Sequence, residues 1–139
     1  MDNKEFNKKR AFSIFNKKKK ESEEIIDNSK EKVFSKVAKA TKKANDVKGT
    51  SFSVVFEDFK LLLSMIGAYS RREYTKVPKS VIVAAFAATL YFISPIDAIM
   101  DFIPGLGYLD DAFVVSYVIK KFHEELQNYK AWKDGRFFS

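Results

Sequence analysis

The residues VIVAAFAATLYFI, Val81 to Ile93, contain no charged side chain and are apolar on every face of a helix. A helix of this kind is either the central helix of a protein core or a membrane segment. Extended to Val77 and Ile96, the segment has 20 residues, close to the length that crosses an apolar bilayer core of about 30 Å. The sequence therefore predicts a core or transmembrane helix that begins at Pro78.

The next residues, SPIDAIMDFIPGLGYLDD from Ser94 to Asp111, predict an acidic turn between two apolar helices. Ser94 suits the cap of a short helix and Pro95 its first position, which places Asp97 three residues after the cap. Pro104, followed by glycine, ends this helix and turns the chain. The apolar segments on either side are thereby predicted to form a helical hairpin.

Four carboxylates belong to this turn. Asp97 and Asp101 share a helix face because they are four residues apart, and Asp110 and Asp111 are placed in the first turn of the next helix, where they meet its dipole. Capping and dipole roles are the preferred interpretation, since only Asp101 lacks a local role. A divalent-cation site made of these four oxygen ligands is the alternative, and acid–base catalysis comes third.

Three further segments show helical spacing of apolar residues. They are Glu21 to Lys48 with a narrow apolar stripe, Ser51 to Arg72 with a stronger one, and Tyr108 to Trp132. Five glycines and three prolines are too few turn formers for a many-stranded β fold. The predicted fold is all-α, with amphipathic helices packed on the C-terminal hairpin.

The predicted organisation has four parts. They are a basic tail at 1–20, an amphipathic helical region at 21–76, the helical hairpin domain at 77–132 and a frayed C-terminus at 133–139.

The net charge of +7 is concentrated in the tail, where residues 1–20 carry eight basic and two acidic side chains. Phenylalanines set among these lysines are typical of an interfacial anchor on anionic lipid; a disordered solubilising tail explains the pattern equally well. Nucleic-acid binding is disfavoured because no recognition motif accompanies the basic residues. The candidate membrane-surface contacts are Lys8, Lys9, Arg10, Lys17, Lys18, Lys19 and Lys20.

The sequence lacks the residues that many enzyme classes use for catalysis or metal binding. The chain has no cysteine and one histidine, so thiolate nucleophiles, zinc sites based on cysteine and two-histidine metal sites are excluded. His123 lies in the charged stretch FHEEL and is expected to face solvent. The sequence therefore favours a non-enzymatic protein. It identifies no small-molecule substrate and predicts no cofactor, although a divalent cation is a candidate.

Three blocks of the turn resemble the signature of the YkvA-like family, domain of unknown function 1232. The blocks are YFISPID from Tyr91, DFIP from Asp101 and GYLDD from Gly107, and the resemblance extends from Pro78 to about Phe122. Met100 departs from the pattern, where the family usually has proline. The motif positions are Ser94, Pro95, Asp97, Asp101, Pro104, Gly107, Tyr108, Asp110 and Asp111.

This resemblance implies a helical protein of a mostly bacterial family, often interpreted as membrane proteins from two apolar segments. It implies no activity, substrate or cofactor. Together with the basic tail, it favours a membrane-associated scaffold or adaptor on the cytoplasmic side, held by anionic lipid. The alternative is a soluble cytoplasmic helical domain that binds a divalent cation or a protein partner through the acidic turn. The N-terminus lacks the apolar run of a secretory signal, which agrees with a cytoplasmic origin.

Overall fold

The computed structural model describes residues 3–45, 53–93 and 106–135. Within these ranges the chain forms six helices and no strand, which confirms the predicted all-α fold. The helices are α1 (Asn3–Asn28), α2 (Lys30–Asn45), α3 (Ser53–Ser70), α4 (Lys79–Phe92), α5 (Leu106–Lys121) and α6 (His123–Gly135).

Helix α4 lies at the centre of the bundle. Eleven of its 14 residues are buried, and α1, α2, α3 and α5 all contact it. Its alanines let these neighbours approach closely, and the side chains of Ala85, Ala87 and Ala88 are 0% exposed. The uniformly apolar stretch is therefore surrounded by other helices of the same chain, as expected for the central helix of a core.

The transmembrane helix predicted over Val77 to Ile96 is not found in this form. Pro78 has φ −60° and ψ 142° and is the N-cap, so helical geometry begins only at Lys79. The 14 residues of α4 extend about 21 Å. Among the helices at 3–45, 53–93 and 106–135, none has both the length and the hydropathy that crossing a membrane requires.

The first two helices are divided differently from the prediction. One helix was expected from Glu21 to Lys48, but α1 continues from the basic segment to Asn28 and α2 begins after Ser29. The hydroxyl of Ser29 accepts a hydrogen bond from the backbone N–H of Lys32 at 3.2 Å, which is an N-cap contact. Residues 3–20 are helical, and Phe12, Ile14 and Phe15 pack in or against the core, so a disordered tail is the wrong interpretation for this segment.

Helix α3 places an aromatic cluster against the end of α4. Phe56 and Phe59 are buried, and their ring centroids lie 5.3 and 5.0 Å from that of Phe92. Leu62 and Ile66 continue the same buried face. The strong amphipathic pattern of this segment therefore predicted its core face correctly.

The C-terminal segment is interrupted once. A single helix was expected from Tyr108 to Trp132, whereas α5 and α6 meet at a turn at Phe122. The N–H of Phe122 still donates to the carbonyl of Val118 at 3.0 Å, and the N–H of Leu126 donates to the carbonyl of Phe122 at 2.9 Å. Because these helical hydrogen bonds persist, the interruption is confined to one residue.

Helix α3 ends in a Schellman motif that has arginine where glycine is usual. Arg72 has φ 62°, its N–H donates to the carbonyl of Tyr69, and the N–H of Glu73 donates to the carbonyl of Ala68. A left-handed conformation is unfavourable for a residue with a Cβ atom. The end of α3 therefore carries local backbone strain.

Replacing Ala88 with leucine should destabilise the protein by about 1–3 kcal/mol, because the added methyl groups would enter a filled core. The matched control is Ala38→Leu on the exposed face of α2, which should change the free energy of unfolding by less than about 0.5 kcal/mol. Urea denaturation measures both values. Equal stability of the two variants would contradict the central position of α4.

Arg72→Gly should raise the free energy of unfolding by about 0.5–1 kcal/mol, because glycine relieves the left-handed strain. Lys76→Gly, at an exposed position without positive φ, should lower it by about 0.4–1 kcal/mol through the entropy of the unfolded chain. Thermal melting of the two variants gives the comparison. A fall in stability for Arg72→Gly would show that its side chain has a stabilising role.

Candidate membrane-surface site

Two buried side chains fix the rotation of α1 about its axis. Phe15 is 2% exposed and lies in the core. About two turns further along the same face, the hydroxyl of Ser22 is fully buried and donates a hydrogen bond to the carbonyl of Val83 on α4 at 2.8 Å. Because these contacts direct one face of α1 inward, the lysines at other angles around the helix are held at the surface.

Five of the predicted lipid-contacting residues have described side chains. Lys9, Lys17 and Lys20 are exposed, while Lys18 and Lys19 are half-buried. The ammonium group of Lys18 is 3.1 Å from the carboxylate of Glu21. The two remaining candidates, Lys8 and Arg10, have backbones in α1, and their side chains lie outside the described part of the structure.

A groove between α1 and α5 brings aromatic rings and lysines together. Tyr117 is 41% exposed, and its ring centroid lies 4.9 Å from Phe12 and 6.5 Å from Phe15. Rings with a polar atom at the tip are suited to an interface between apolar and aqueous phases. We call this surface the aromatic–lysine groove; its residues are Phe12, Lys19, Tyr117, Lys121 and Phe122, and the buried ring of Phe15 lies beneath it.

The two lysines of the groove lie over its rings. The Nζ atom of Lys19 is 5.2 Å from the centroid of Phe15. The Nζ atom of Lys121 is 5.6 Å from the centroid of Tyr117 and 5.7 Å from that of Phe122. These cation–π contacts keep two positive charges beside an aromatic surface.

Half of this groove was missed by the sequence reasoning. Tyr117, Lys121 and Phe122 were not singled out as candidate contacts, whereas the structure packs Tyr117 on Phe12 and Phe15 of the N-terminal helix. The available signal was the sequence YVIKKF, in which aromatic residues flank two lysines. That signal is weak, because the same pattern occurs on many solvent-facing helices.

Lys79, at the start of α4, supplies a further positive charge near the groove. Its Nζ atom is 2.6 Å from a carboxylate oxygen of Asp27 on α1. This hydrogen bond raises the pKa of the Lys79 ammonium, because the carboxylate stabilises the charged form, and Glu23 adds to the effect. Lys79 thus joins the start of α4 to α1.

The motif of the acidic turn is only partly visible. Ser94, Pro95, Asp97, Asp101 and Pro104 lie outside the described residues, so the caps and the cation site proposed for them stay predictions. Gly107, Tyr108, Asp110 and Asp111 have backbones in α5, and their side chains lie outside the described part.

One prediction about the turn is wrong. Asp110 and Asp111 were expected in the first turn of the second arm, but α5 begins at Leu106 and has no acidic residue in its first turn. Leu106 and Gly107 already adopt helical geometry, so the helix starts before the expected position at Tyr108. Since the dipole acts mainly within the first turn, it does not explain these two carboxylates.

Comparison with known proteins gives two similarities. The profile of the family described as "Protein of unknown function (DUF1232)" matches residues 81–117. The "Uncharacterized membrane protein YkvA" of Bacillus subtilis (strain 168) is 32% identical over 69 residues, which are 50% of this chain and 65% of that protein. The chain thus spans just under two thirds of the length of this relative. No solved structure matches the chain.

Asp27→Asn should lower the pKa of Lys79 towards its ordinary value of 10.5. In the unmodified chain Lys79 keeps its positive charge until the pH rises through the raised pKa, so in the variant Lys79 should lose this charge at a lower pH. Titration of the lysine side-chain carbons by nuclear magnetic resonance measures this change. Asp58→Asn, on the exposed face of α3, is the control and should leave Lys79 unaffected.

Proposed function

We propose that this chain, a YkvA-like member of the DUF1232 family, is a non-enzymatic helical protein that attaches to the cytoplasmic surface of an anionic membrane. The supporting observation is the combination of exposed lysines on α1 with the aromatic–lysine groove beside them. Lysines attract anionic headgroups, and aromatic side chains enter the interfacial layer. The word "membrane" in the name of the Bacillus subtilis relative points in the same direction.

Attachment at the surface fits the packing of α4 better than insertion of this helix. Its apolar side chains already contact α1, α2, α3 and α5, so moving α4 into lipid would break protein contacts and gain little apolar burial. The lysines and the ring of Tyr117, in contrast, are available without any rearrangement. We therefore place the contact with lipid on the outside of the bundle.

Once attached to the membrane, the protein would act as a scaffold or adaptor for other proteins. The outer face of α2 carries Lys32, Ser35 and Lys39, all exposed. On the bound protein, this polar face offers a surface to a second protein. The acidic turn remains the alternative binding element, as predicted from the sequence.

Deletion of residues 1–20 is an unsuitable test, because it would remove Phe15 from the core. The better variant replaces three exposed lysines of α1, Lys9, Lys17 and Lys20, with glutamine. At about 1 kcal/mol for each lysine, partition onto vesicles that contain phosphatidylglycerol should fall by roughly two orders of magnitude. Sedimentation with such vesicles at about 0.15 M salt measures the partition.

The matched control replaces Lys32, Lys39 and Lys42, three exposed lysines of α2, with glutamine and so has the same net charge. It should retain most of the binding, because this change leaves the α1 surface intact. Failure of the unmodified chain to bind anionic vesicles, or equal losses in the two triple variants, would contradict attachment through α1.

A further inference from the structure

A cavity of about 450 Å³ opens at the end of the groove, where α1, the start of α4 and the end of α5 meet. Three lysines, one from each helix, line it: Lys19, Lys79 and Lys121. Val83, Ala84 and Phe122 form its apolar wall. Its volume falls within the roughly 300–1,000 Å³ of small-molecule pockets.

The charge of the cavity is positive after its carboxylates are counted. Glu23 is the acidic residue in the lining, and Asp27 pairs with Lys79 from outside it. Lys19 and Lys121 are held over aromatic rings. Their positive charges therefore remain for an anionic ligand, and ammonium groups are common ligands of phosphate.

We propose that this cavity binds the phosphate group of an anionic phospholipid, an inference that rests on the proposed membrane attachment. Lys19 and Lys121 contact the phosphate oxygens, while Lys79 stays paired with Asp27 at the edge of the cavity. The wall of Val83, Ala84 and Phe122 takes the glycerol and the first methylene groups of the acyl chains. The surface of α1 then brings the protein to the membrane, and the cavity holds one lipid molecule.

Two features favour a lipid over a soluble phosphate compound. The cavity continues into the aromatic–lysine groove, because Lys19, Lys121 and Phe122 belong to both. That groove presents the exposed ring of Tyr117 beside the lysines. A phosphate carried on a lipid brings apolar chains to this surface, whereas a free phosphate would leave the aromatic and aliphatic walls uncovered.

The first test compares two double variants of the full chain on vesicles of phosphatidylcholine with phosphatidylglycerol. Lys19→Gln with Lys121→Gln removes two charges from the cavity. Lys17→Gln with Lys20→Gln is the control pair and removes two exposed charges from α1 outside the cavity lining. The control pair should weaken binding by roughly 25-fold, about fivefold for each surface lysine, and the cavity pair by more than this.

A second test changes the charge in the opposite direction. Glu23→Gln removes the carboxylate from the cavity and should strengthen binding roughly fivefold. Glu24→Gln makes the same change on an exposed position of α1 outside the cavity lining and should have a smaller effect. Equal melting temperatures of the two glutamate variants would show that a gain does not come from unfolding, so this comparison holds even if the lysine variants are unstable.

The outcomes separate the two proposals. Equal losses for both lysine pairs, with normal binding of the unmodified chain, would overturn the cavity and leave membrane attachment standing. Absence of vesicle binding by the unmodified chain would overturn the attachment itself. If glycerol phosphate then bound saturably and depended on Lys19, the ligand would be a soluble phosphate compound, and the lipid assignment would be overturned.

Discussion

Enclosure of α4 is the constraint on which the other helices depend. The helix has no polar face, so all its sides have to be removed from water, and the chain does this by placing α1, α2, α3 and α5 around it. Alanines at its surface permit short distances between helix axes. The aromatic cluster of Phe56, Phe59 and Phe92 closes one end of the same core.

The basic N-terminal helix has two roles because of this enclosure. Its inner face covers α4 through Phe15 and the hydroxyl of Ser22, while its outer face carries the lysines of the proposed membrane contact. The surface is therefore presented by an element whose orientation is fixed by the core. Loss of the contacts of Phe15 and Ser22 would be expected to destabilise the fold, and the lysines of α1 would then no longer be held on one surface.

The antiparallel arrangement of α4 and α5 brings lysines of the two helices to one end of the bundle. The start of α4 and the end of α5 line one cavity, so the two helices run antiparallel and their lysines share one end of the bundle.

Local pattern alone determined the helical class, the core face of α3 and the apolar character of α4, because periodicity and the absence of charge act within a single helix. The resemblance to the DUF1232 signature between Tyr91 and Asp111 was also evident from the sequence. Only the tertiary structure decided that the neighbours of α4 are protein helices, that α1 ends at Asn28 and that Tyr117 packs on Phe12. The end of α1 depends on the N-cap that Ser29 provides for α2. The other two outcomes depend on contacts between residues far apart in the sequence, such as Phe12 and Tyr117, which no local pattern encodes.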